Sequence, residues 1–140
     1  MGTKKKMTSG QQGRAAIKIL LVEDYEGNVI IALHYLEEEG FKVVSVSNGE
    51  EALKAIEKED FDLVLMDVEM PVMDGYATTE VIRKRQKEGK IKKHLPIIGT
   101  TANAFKSDRD KCFAAGMDDY VSKPFDFKFL IDKIHKQLDK

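Results

Sequence analysis

The chain of 140 residues fits one domain with a single core, and its 42% hydrophobic content is ordinary for a soluble globular protein. Its 23 basic and 24 acidic residues give a formal net charge of −1, so the overall field attracts neither nucleic acid nor an anionic membrane. No apolar run approaches the length of about 18 residues that spans a bilayer, no secretory leader is visible and the single cysteine excludes an intrachain disulfide, so we expect a cytoplasmic protein.

The first 14 residues, MGTKKKMTSGQQGR, are polar and basic and show no apolar periodicity. Part of this stretch, MTSGQQGR, resembles an altered epitope-tag leader from an expression vector, and a native disordered arm is the alternative. We therefore divide the chain into a disordered leader or tag over residues 1–14 and one folded domain over residues 15–140.

From residue 15 onward, short β-branched runs alternate with segments of helical spacing. Strands are predicted over residues 17–23, 41–47, 61–67, 96–100 and 118–122. The first and third runs are almost continuously apolar, as in a parallel sheet that is covered on both faces. Five strands alternating with five helices predict right-handed crossovers and a doubly wound α/β fold.

The helices predicted between these strands have apolar stripes and recognisable ends. Val29, Leu33 and Leu36 share one face of the first helix, and the last helix has an apolar stripe from Phe127 to Leu138. The predicted helix ends are Asn48, Asp74 and Asp126 as N-caps, with Glu51 completing a capping box, and Gly40 and Gly116 at C-termini.

Three carboxylates fall where predicted strands end. Glu23 and Asp24 follow the first strand, and Asp67 closes the third. Sites in doubly wound sheets form outside the carboxyl ends of the strands where strand order reverses, which in the common order 2-1-3-4-5 is between strands one and three. Converging carboxylates need a cation, and Mg²⁺ with oxygen ligands suits phosphate chemistry. On position alone, the interpretation that these are ordinary loop residues stays open.

Side chains at the ends of two further strands favour a site. Thr100 and Thr101 end the fourth strand, and Lys123 ends the fifth. Phosphoryl transfer needs a nucleophilic oxygen, a metal ion and fixed positive charge on the phosphoryl oxygens. Asp67, Mg²⁺ and Lys123 would supply these three parts, so the sequence predicts a phosphoryl-transfer site at this edge of the sheet.

Four segments resemble, in order, the motifs of response-regulator receiver domains: LLVEDYEGN (20–28), LVLMDVEMPVMDG (63–75), PIIGTTANAF (96–105) and AAGMDDYVSKPF (114–125). The resemblance covers residues 16–139 and implies a flavodoxin-like sheet of order 2-1-3-4-5. It implies a phosphorelay receiver, a monomer or weak homodimer, that takes a phosphoryl group from the phosphohistidine of a histidine kinase or histidine phosphotransfer domain. Such a domain catalyses only its own Mg²⁺-dependent phosphorylation and dephosphorylation and is otherwise no enzyme.

The resemblance also implies a metal site at the acidic residues. Asp67 would be the phosphoacceptor, and Asp24 and Asp67 would ligate Mg²⁺ directly, together with the backbone carbonyl of Glu69. Glu23 would act on the ion through water. The Glu-Asp pair departs from the Asp-Asp pair that is commoner in the family, which lengthens one arm and leaves the water structure around the ion open.

The resemblance also implies residues that switch conformation on phosphorylation and residues that set the lifetime of the phosphoaspartate. Thr101 matches the switch hydroxyl of the family, and Tyr120 matches the aromatic residue whose rotation is coupled to it. Lys123 matches the phosphate-binding lysine, and its bond to the following proline resembles one that is usually cis. Glu69 and Asn103 lie where the family sets the lifetime of its phosphoaspartate. Phosphorylation would then change the surface of the fourth helix, fifth strand and fifth helix.

Two other functions stay open. A receiver-like binding module would be regulated by partner contact without phosphorylation. A phosphatase with an aspartate nucleophile would need a second aspartate two residues later, where this chain has Glu69. The context is open as well, between a single-domain regulator and a receiver excised from a hybrid histidine kinase. The ANAF and DDYVSKPF wording is typical of the hybrid kinases.

Overall fold

The computed structural model of the chain describes residues 16–70, 72–92, 94–103 and 105–140, within which five strands alternate with five helices. The strands are β1 (Lys18–Val22), β2 (Lys42–Val46), β3 (Leu63–Asp67), β4 (Ile97–Thr101) and β5 (Asp119–Ser122). The helices are α1 (Glu26–Glu38), α2 (Gly49–Lys58), α3 (Gly75–Lys87), α4 (Lys106–Ala115) and α5 (Phe127–Leu138). The predicted leader lies outside the described residues. Within the described ranges, no helix combines the length and apolarity that crossing a membrane requires.

All pairs of neighbouring strands are parallel, and the sheet has the order β2-β1-β3-β4-β5. The predicted doubly wound α/β fold and its strand order are therefore confirmed. The order reverses between β1 and β3, where Val22 pairs with Met66. Because the next residues along these strands are Glu23 and Asp67, the register brings both carboxylates to the same level of the sheet edge.

The sheet is covered on both faces, which explains why its central strands are apolar throughout. Leu20 and Val22 of β1 pack into the core that the sheet forms with α2, α3 and α4, whereas Ile19 and Leu21 pack into the core formed with α1 and α5. Side chains alternate between the faces of a strand, so a strand buried on both sides needs apolar residues at successive positions. Every residue of β3 is buried, including Asp67 at its end.

The helix ends follow the predicted capping chemistry. The Glu51 N–H donates to Asn48 Oδ1 (2.9 Å), and the Glu51 carboxylate accepts from the Ser47 N–H (2.9 Å), so the two side chains satisfy donors at the start of α2. Asp74 and Asp126 accept from the backbone of α3 and α5 in the same way. Gly40 (φ 98°) and Gly116 (φ 108°) follow α1 and α4 in the left-handed region that favours glycine.

Two neighbouring threonines of α3 allow a test of buried hydroxyl groups. Both are fully buried, and the Thr78 hydroxyl donates to the Asp74 carbonyl (2.8 Å), whereas the Thr79 hydroxyl has no hydrogen-bond partner among the described residues. We expect Thr79→Val to raise the free energy of unfolding by about 1 kcal/mol, because it removes an unsatisfied polar group. Thr78→Val, with the same change in shape, should lower it by about 1 kcal/mol. Urea unfolding measures both, and a destabilised Thr79→Val would contradict the prediction.

Candidate functional site

Three acidic side chains converge beyond the carboxyl ends of β1 and β3. Glu23, Asp24 and Asp67 each bring a carboxylate oxygen within 4.8 Å of the others, and this is an arrangement that could hold a metal ion. Asp67 is 1% exposed and Glu23 3%, while Asp24 faces solvent. The Glu23 and Asp67 carboxylates are therefore removed from water, whereas Asp24 places the cluster next to solvent, from which an ion can reach it.

Asp67 is held by both of its carboxylate oxygens. Oδ1 accepts from the Glu69 N–H (3.1 Å), and Oδ2 lies 3.2 Å from Lys123 Nζ. Burial raises the pKa of Asp67 to about 6, and the nearby Glu23 charge adds to the rise, whereas the Glu69 N–H and Lys123 oppose it. The site therefore favours a further cation, because burial and like charge disfavour the carboxylate anion.

Lys123 carries the positive charge of the site. Its side chain is 19% exposed, and Nζ lies 3.1 Å from Glu23 Oε1 as well as 3.2 Å from Asp67 Oδ2. Burial works against the charged ammonium, but Asp67 and Glu23 outweigh this effect and raise the pKa of Lys123. The backbone N–H of Lys123 donates to the Thr101 carbonyl (2.7 Å). The Lys123–Pro124 peptide bond is cis, as the resemblance implies. The ammonium thus stays charged between two buried carboxylates.

Glu23 uses its longer arm to reach across to Lys123. Its second oxygen, Oε2, accepts from the Tyr25 N–H (3.1 Å) and from Asn28 Nδ2 (3.4 Å). Asn28 lies in the first turn of α1 and has no predicted role from the sequence. The signal that points to it is its place one helical turn beyond the acidic pair, where a side chain of α1 can reach back to the end of β1.

Thr101 and the loops around it form the other side of the site. Thr101 is buried, and its hydroxyl oxygen accepts from the Asn103 N–H (3.1 Å). The Glu69 carboxylate accepts from the Ala102 N–H (3.3 Å) and so joins the loop after β3 to the loop after β4. Three of the residues predicted to act at Asp67 are therefore part of one hydrogen-bonded rim.

Tyr120 lies two residues further than Thr101 from the carboxyl ends of the strands. It pairs with Gly99, two residues before Thr101 on β4, so both side chains lie on the same face of the sheet. Tyr120 is half-buried, and its ring is nearly perpendicular to that of Phe113 on α4, with ring centroids 6.2 Å apart. The predicted coupling between Tyr120 and Thr101 is compatible with this placement, and it stays a prediction.

A glycine lets α3 approach the end of β3. A Cβ atom on Gly75 would overlap the backbone carbonyl oxygen of Asp67 and come within 2.8 Å of the Val68 Cα. Gly75 also donates its N–H to the Val68 carbonyl (3.2 Å). The start of α3 therefore packs directly on the end of β3 and fixes the direction in which Asp67 enters the site.

The donor set fits a hard divalent cation. Carboxylate oxygens are the ligands that Mg²⁺ prefers, and the exposed Asp24 leaves room for the waters that this ion usually retains. Cys112, by contrast, is fully buried away from the cluster, and burial raises the pKa of its thiol. The carboxylate ligands of the cluster are therefore consistent with Mg²⁺ binding.

Comparison with known proteins relates this arrangement to a family. A family model described as "Response regulator receiver domain" matches residues 19–135. The sensor histidine kinase GacS of Pseudomonas protegens is 41% identical over 86% of this chain, which corresponds to 13% of the kinase. The chain spans 15% of the length of the probable histidine kinase 1 of Oryza sativa and 4% of the hybrid signal transduction histidine kinase G of Dictyostelium discoideum.

Two solved structures share the fold at high similarity. One is the receiver domain of the sensor histidine kinase PA1611 from Pseudomonas aeruginosa with a magnesium ion in its active-site cleft (TM-score 0.80, 36% identity, 90% of this chain and 100% of that one). The other is the receiver domain of Ssk1 from Saccharomyces cerevisiae, crystallised with the histidine phosphotransfer protein Ypd1 (TM-score 0.81, 27% identity, 87% of this chain and 88% of that one). The fold that holds the acidic residues, Thr101 and Lys123 of this chain is thus shared with the receiver domains of two phosphotransfer signalling proteins.

Proposed function

Because this chain belongs to the response regulator receiver domain family, we propose that it accepts a phosphoryl group on Asp67 as the receiver of a two-component phosphorelay. The observation that carries the proposal is the pairing of a buried Asp67 carboxylate with the Lys123 ammonium 3.2 Å away. A buried acid with one fixed cation is suited to receive a dianionic group, which a surface aspartate is not. The donor is the phosphohistidine of a histidine kinase or a histidine phosphotransfer protein.

In the transfer step, one Asp67 carboxylate oxygen attacks phosphorus in line with the histidine nitrogen. The O–P bond forms as the N–P bond breaks, and the imidazole leaves with the electron pair and takes a proton from solvent. The Glu69 N–H orients the carboxylate through Oδ1. Lys123 already contacts Oδ2, so its ammonium lies where charge accumulates on the transferred phosphoryl oxygens.

The acidic cluster would hold Mg²⁺. Asp24 and Asp67 would be direct ligands with the backbone carbonyl of Glu69, and Glu23 would act through water. When bound, the ion offsets the mutual repulsion of the carboxylates and the charge of the phosphoryl group. The magnesium-bound receiver of PA1611 supports this assignment by similarity of fold and sequence.

Phosphorylation of Asp67 would then change the surface that α4, β5 and α5 form. The Thr101 hydroxyl would turn from the Asn103 N–H to a phosphoryl oxygen, and Tyr120 would fill the space that it leaves. These two side-chain movements would shift a pre-existing equilibrium between two conformations of α4, β5 and α5. Glu69 and Asn103 flank the acceptor and would set how fast water removes the phosphoryl group.

The test is labelling in the presence and absence of metal. We expect the chain, incubated with acetyl phosphate and Mg²⁺, to gain one phosphoryl group by intact mass spectrometry. Chelation of Mg²⁺ should slow labelling by about 100-fold or more, because several kcal/mol of charge stabilisation is lost. Full-rate transfer in chelator would show that the metal assignment is wrong.

The alternative function has its own outcome in this experiment. If the chain with Mg²⁺ takes up no phosphoryl group from acetyl phosphate, phosphoramidate or a panel of histidine phosphotransfer proteins, a receiver-like binding module without phosphorylation is favoured instead. Multiple-turnover hydrolysis of a phosphate monoester would favour the phosphatase.

A further inference from the structure

Glu23 is more firmly held than a carboxylate that serves only a hydrated ion would need to be. Oε1 lies 3.1 Å from Lys123 Nζ, and Oε2 accepts from the Tyr25 N–H and Asn28 Nδ2. Both oxygens of this nearly fully buried carboxylate therefore have donors from the protein itself. A glutamate side chain has three rotatable bonds, so such an orientation requires several fixed contacts.

Two donors of different kinds restrain Oε2. The Tyr25 N–H belongs to the backbone just before α1, and its place is set by the end of β1. Asn28 reaches Oε2 through its side chain from the first turn of the helix. Of the two, only the Asn28 contact can be removed by substitution without changing the course of the backbone.

The contact of Asn28 leads through Glu23 to the lysine beside Asp67. With Oε2 restrained, Oε1 faces Lys123, and the ammonium is shared between Glu23 and Asp67. If the Asn28 contact were lost, only the Tyr25 N–H would restrain Oε2, and the carboxylate would be freer to rotate away from Lys123. Its contact with Lys123 is one of the two that hold the ammonium. The position of Lys123 relative to the attacked phosphorus depends on this arrangement, and transition-state charge is stabilised best by groups that are already in place.

We propose that Asn28 is a positioning residue for phosphoryl transfer, which holds Glu23 so that Lys123 stays beside Asp67. The proposal rests on the proposed function of Asp67 and adds a residue that acts through two others. It also gives the glutamate of the Glu-Asp pair a purpose, because its carboxylate is held by Asn28 at Oε2 while it reaches Lys123 with Oε1.

The first test is Asn28→Leu, which keeps the size of the side chain and removes the donor. We expect the labelling rate with acetyl phosphate at saturating Mg²⁺ to fall about 3- to 10-fold, the range that loss of one hydrogen bond predicts. The Mg²⁺ concentration for half-maximal rate should change by less than about twofold, because Asn28 touches neither of the two proposed direct carboxylate ligands, Asp24 and Asp67. His34→Leu, an exposed change on the same helix, is the matched control and should label at the unaltered rate.

The second test is a double-mutant cycle with Glu23→Gln. If Asn28 acts through Glu23, then Asn28→Leu added to Glu23→Gln should slow labelling by less than about twofold beyond Glu23→Gln alone. Equal losses in both backgrounds, or a wild-type rate for Asn28→Leu while the wild type labels normally, would overturn the proposal. Failure of the wild type to label overturns the proposed function instead.

A third measurement needs no phosphorylation. The side-chain amide signals of Asn28 in a ¹H–¹⁵N spectrum, identified by their absence in Asn28→Leu, should shift in Glu23→Gln and stay in place in His34→Leu. Unchanged signals in Glu23→Gln would show that the two side chains are not in contact in solution, which would overturn the proposal independently of any rate.

Discussion

Replacing Asp67 with asparagine is expected to abolish phosphoryl labelling of the chain, with a loss of at least about 10³-fold in rate. The amide is close in size to the carboxylate and can still accept from the Glu69 N–H through its oxygen, so the loop after β3 should keep its course. What it lacks is the anionic oxygen that attacks phosphorus. Intact mass spectrometry with acetyl phosphate and Mg²⁺ measures the effect.

The matched control for this variant is Asp74→Asn, which makes the same chemical change in the same loop. Asp74 caps α3 by accepting from the Ala77 N–H (2.8 Å), and asparagine caps helices equally well. Asp74→Asn should therefore label at the wild-type rate and unfold at the same denaturant concentration. Stoichiometric, acid-stable labelling of Asp67→Asn would put the phosphoryl group on another side chain and would sink the assignment of Asp67.

The sheet could be predicted from the sequence because its strands are buried on both sides. A continuous apolar run such as LVLMD leaves no polar face, which a surface helix would need. It is therefore typical of a central strand in a parallel sheet. The predicted strand bounds differ from the observed ones by two residues at most. The third strand begins at Leu63 and not at Phe61, since the Asp62 carboxylate accepts from the Lys18 N–H and the Asp62 N–H donates to the Lys18 carbonyl before regular pairing starts.

The buried face of α1 shows where periodicity fails. The helix buries Ala32 and Leu36, while Ile30 and Ile31 are more than half exposed. Residues 29–33 are all apolar, so no single stripe stands out in the sequence, and Leu33 of the predicted stripe is only half-buried. Which side of such a helix is buried depends on how it packs on β1 and β2, and this is a tertiary property.

The site divides in the same way between what strand ends determine and what rotamers determine. Glu23, Asp67 and Lys123 meet because parallel strands bring their carboxyl ends to one edge, and that could be predicted. The bond from Asn28 to Glu23 could not, because it depends on the conformation of two side chains. The same holds for the Glu69 carboxylate, which meets the Ala102 N–H only when two loops are folded against each other.

Replacing Lys123 with methionine should slow labelling by about 10²- to 10³-fold at saturating Mg²⁺, the effect of removing one preorganised charge donor from a transition state. Methionine keeps much of the length of the side chain and removes only its charged donor. Asp67 and Glu23 then face each other in a buried site without their shared counterion, so the free energy of unfolding should also fall. The rate is followed by intact mass spectrometry and the stability by urea unfolding.

Lys133→Met separates the role of Lys123 from the general loss of an ion pair made by a partly buried lysine. The Lys133 side chain is 22% exposed and lies 3.1 Å from a carboxylate oxygen of Asp119, and the Lys123 side chain is 19% exposed and lies 3.2 Å from Asp67. The two lysines therefore match in burial and in distance to their partners, whereas Asp119 is 18% exposed and Asp67 only 1%. Substitution of Lys133 removes a comparable ion pair on α5 without touching the acidic cluster. If both variants slowed labelling equally, the effect of Lys123 would be one of stability alone. A slow Lys123→Met beside a fast Lys133→Met is the result expected if the Lys123 ammonium neutralises charge on the phosphoryl group as it moves to Asp67.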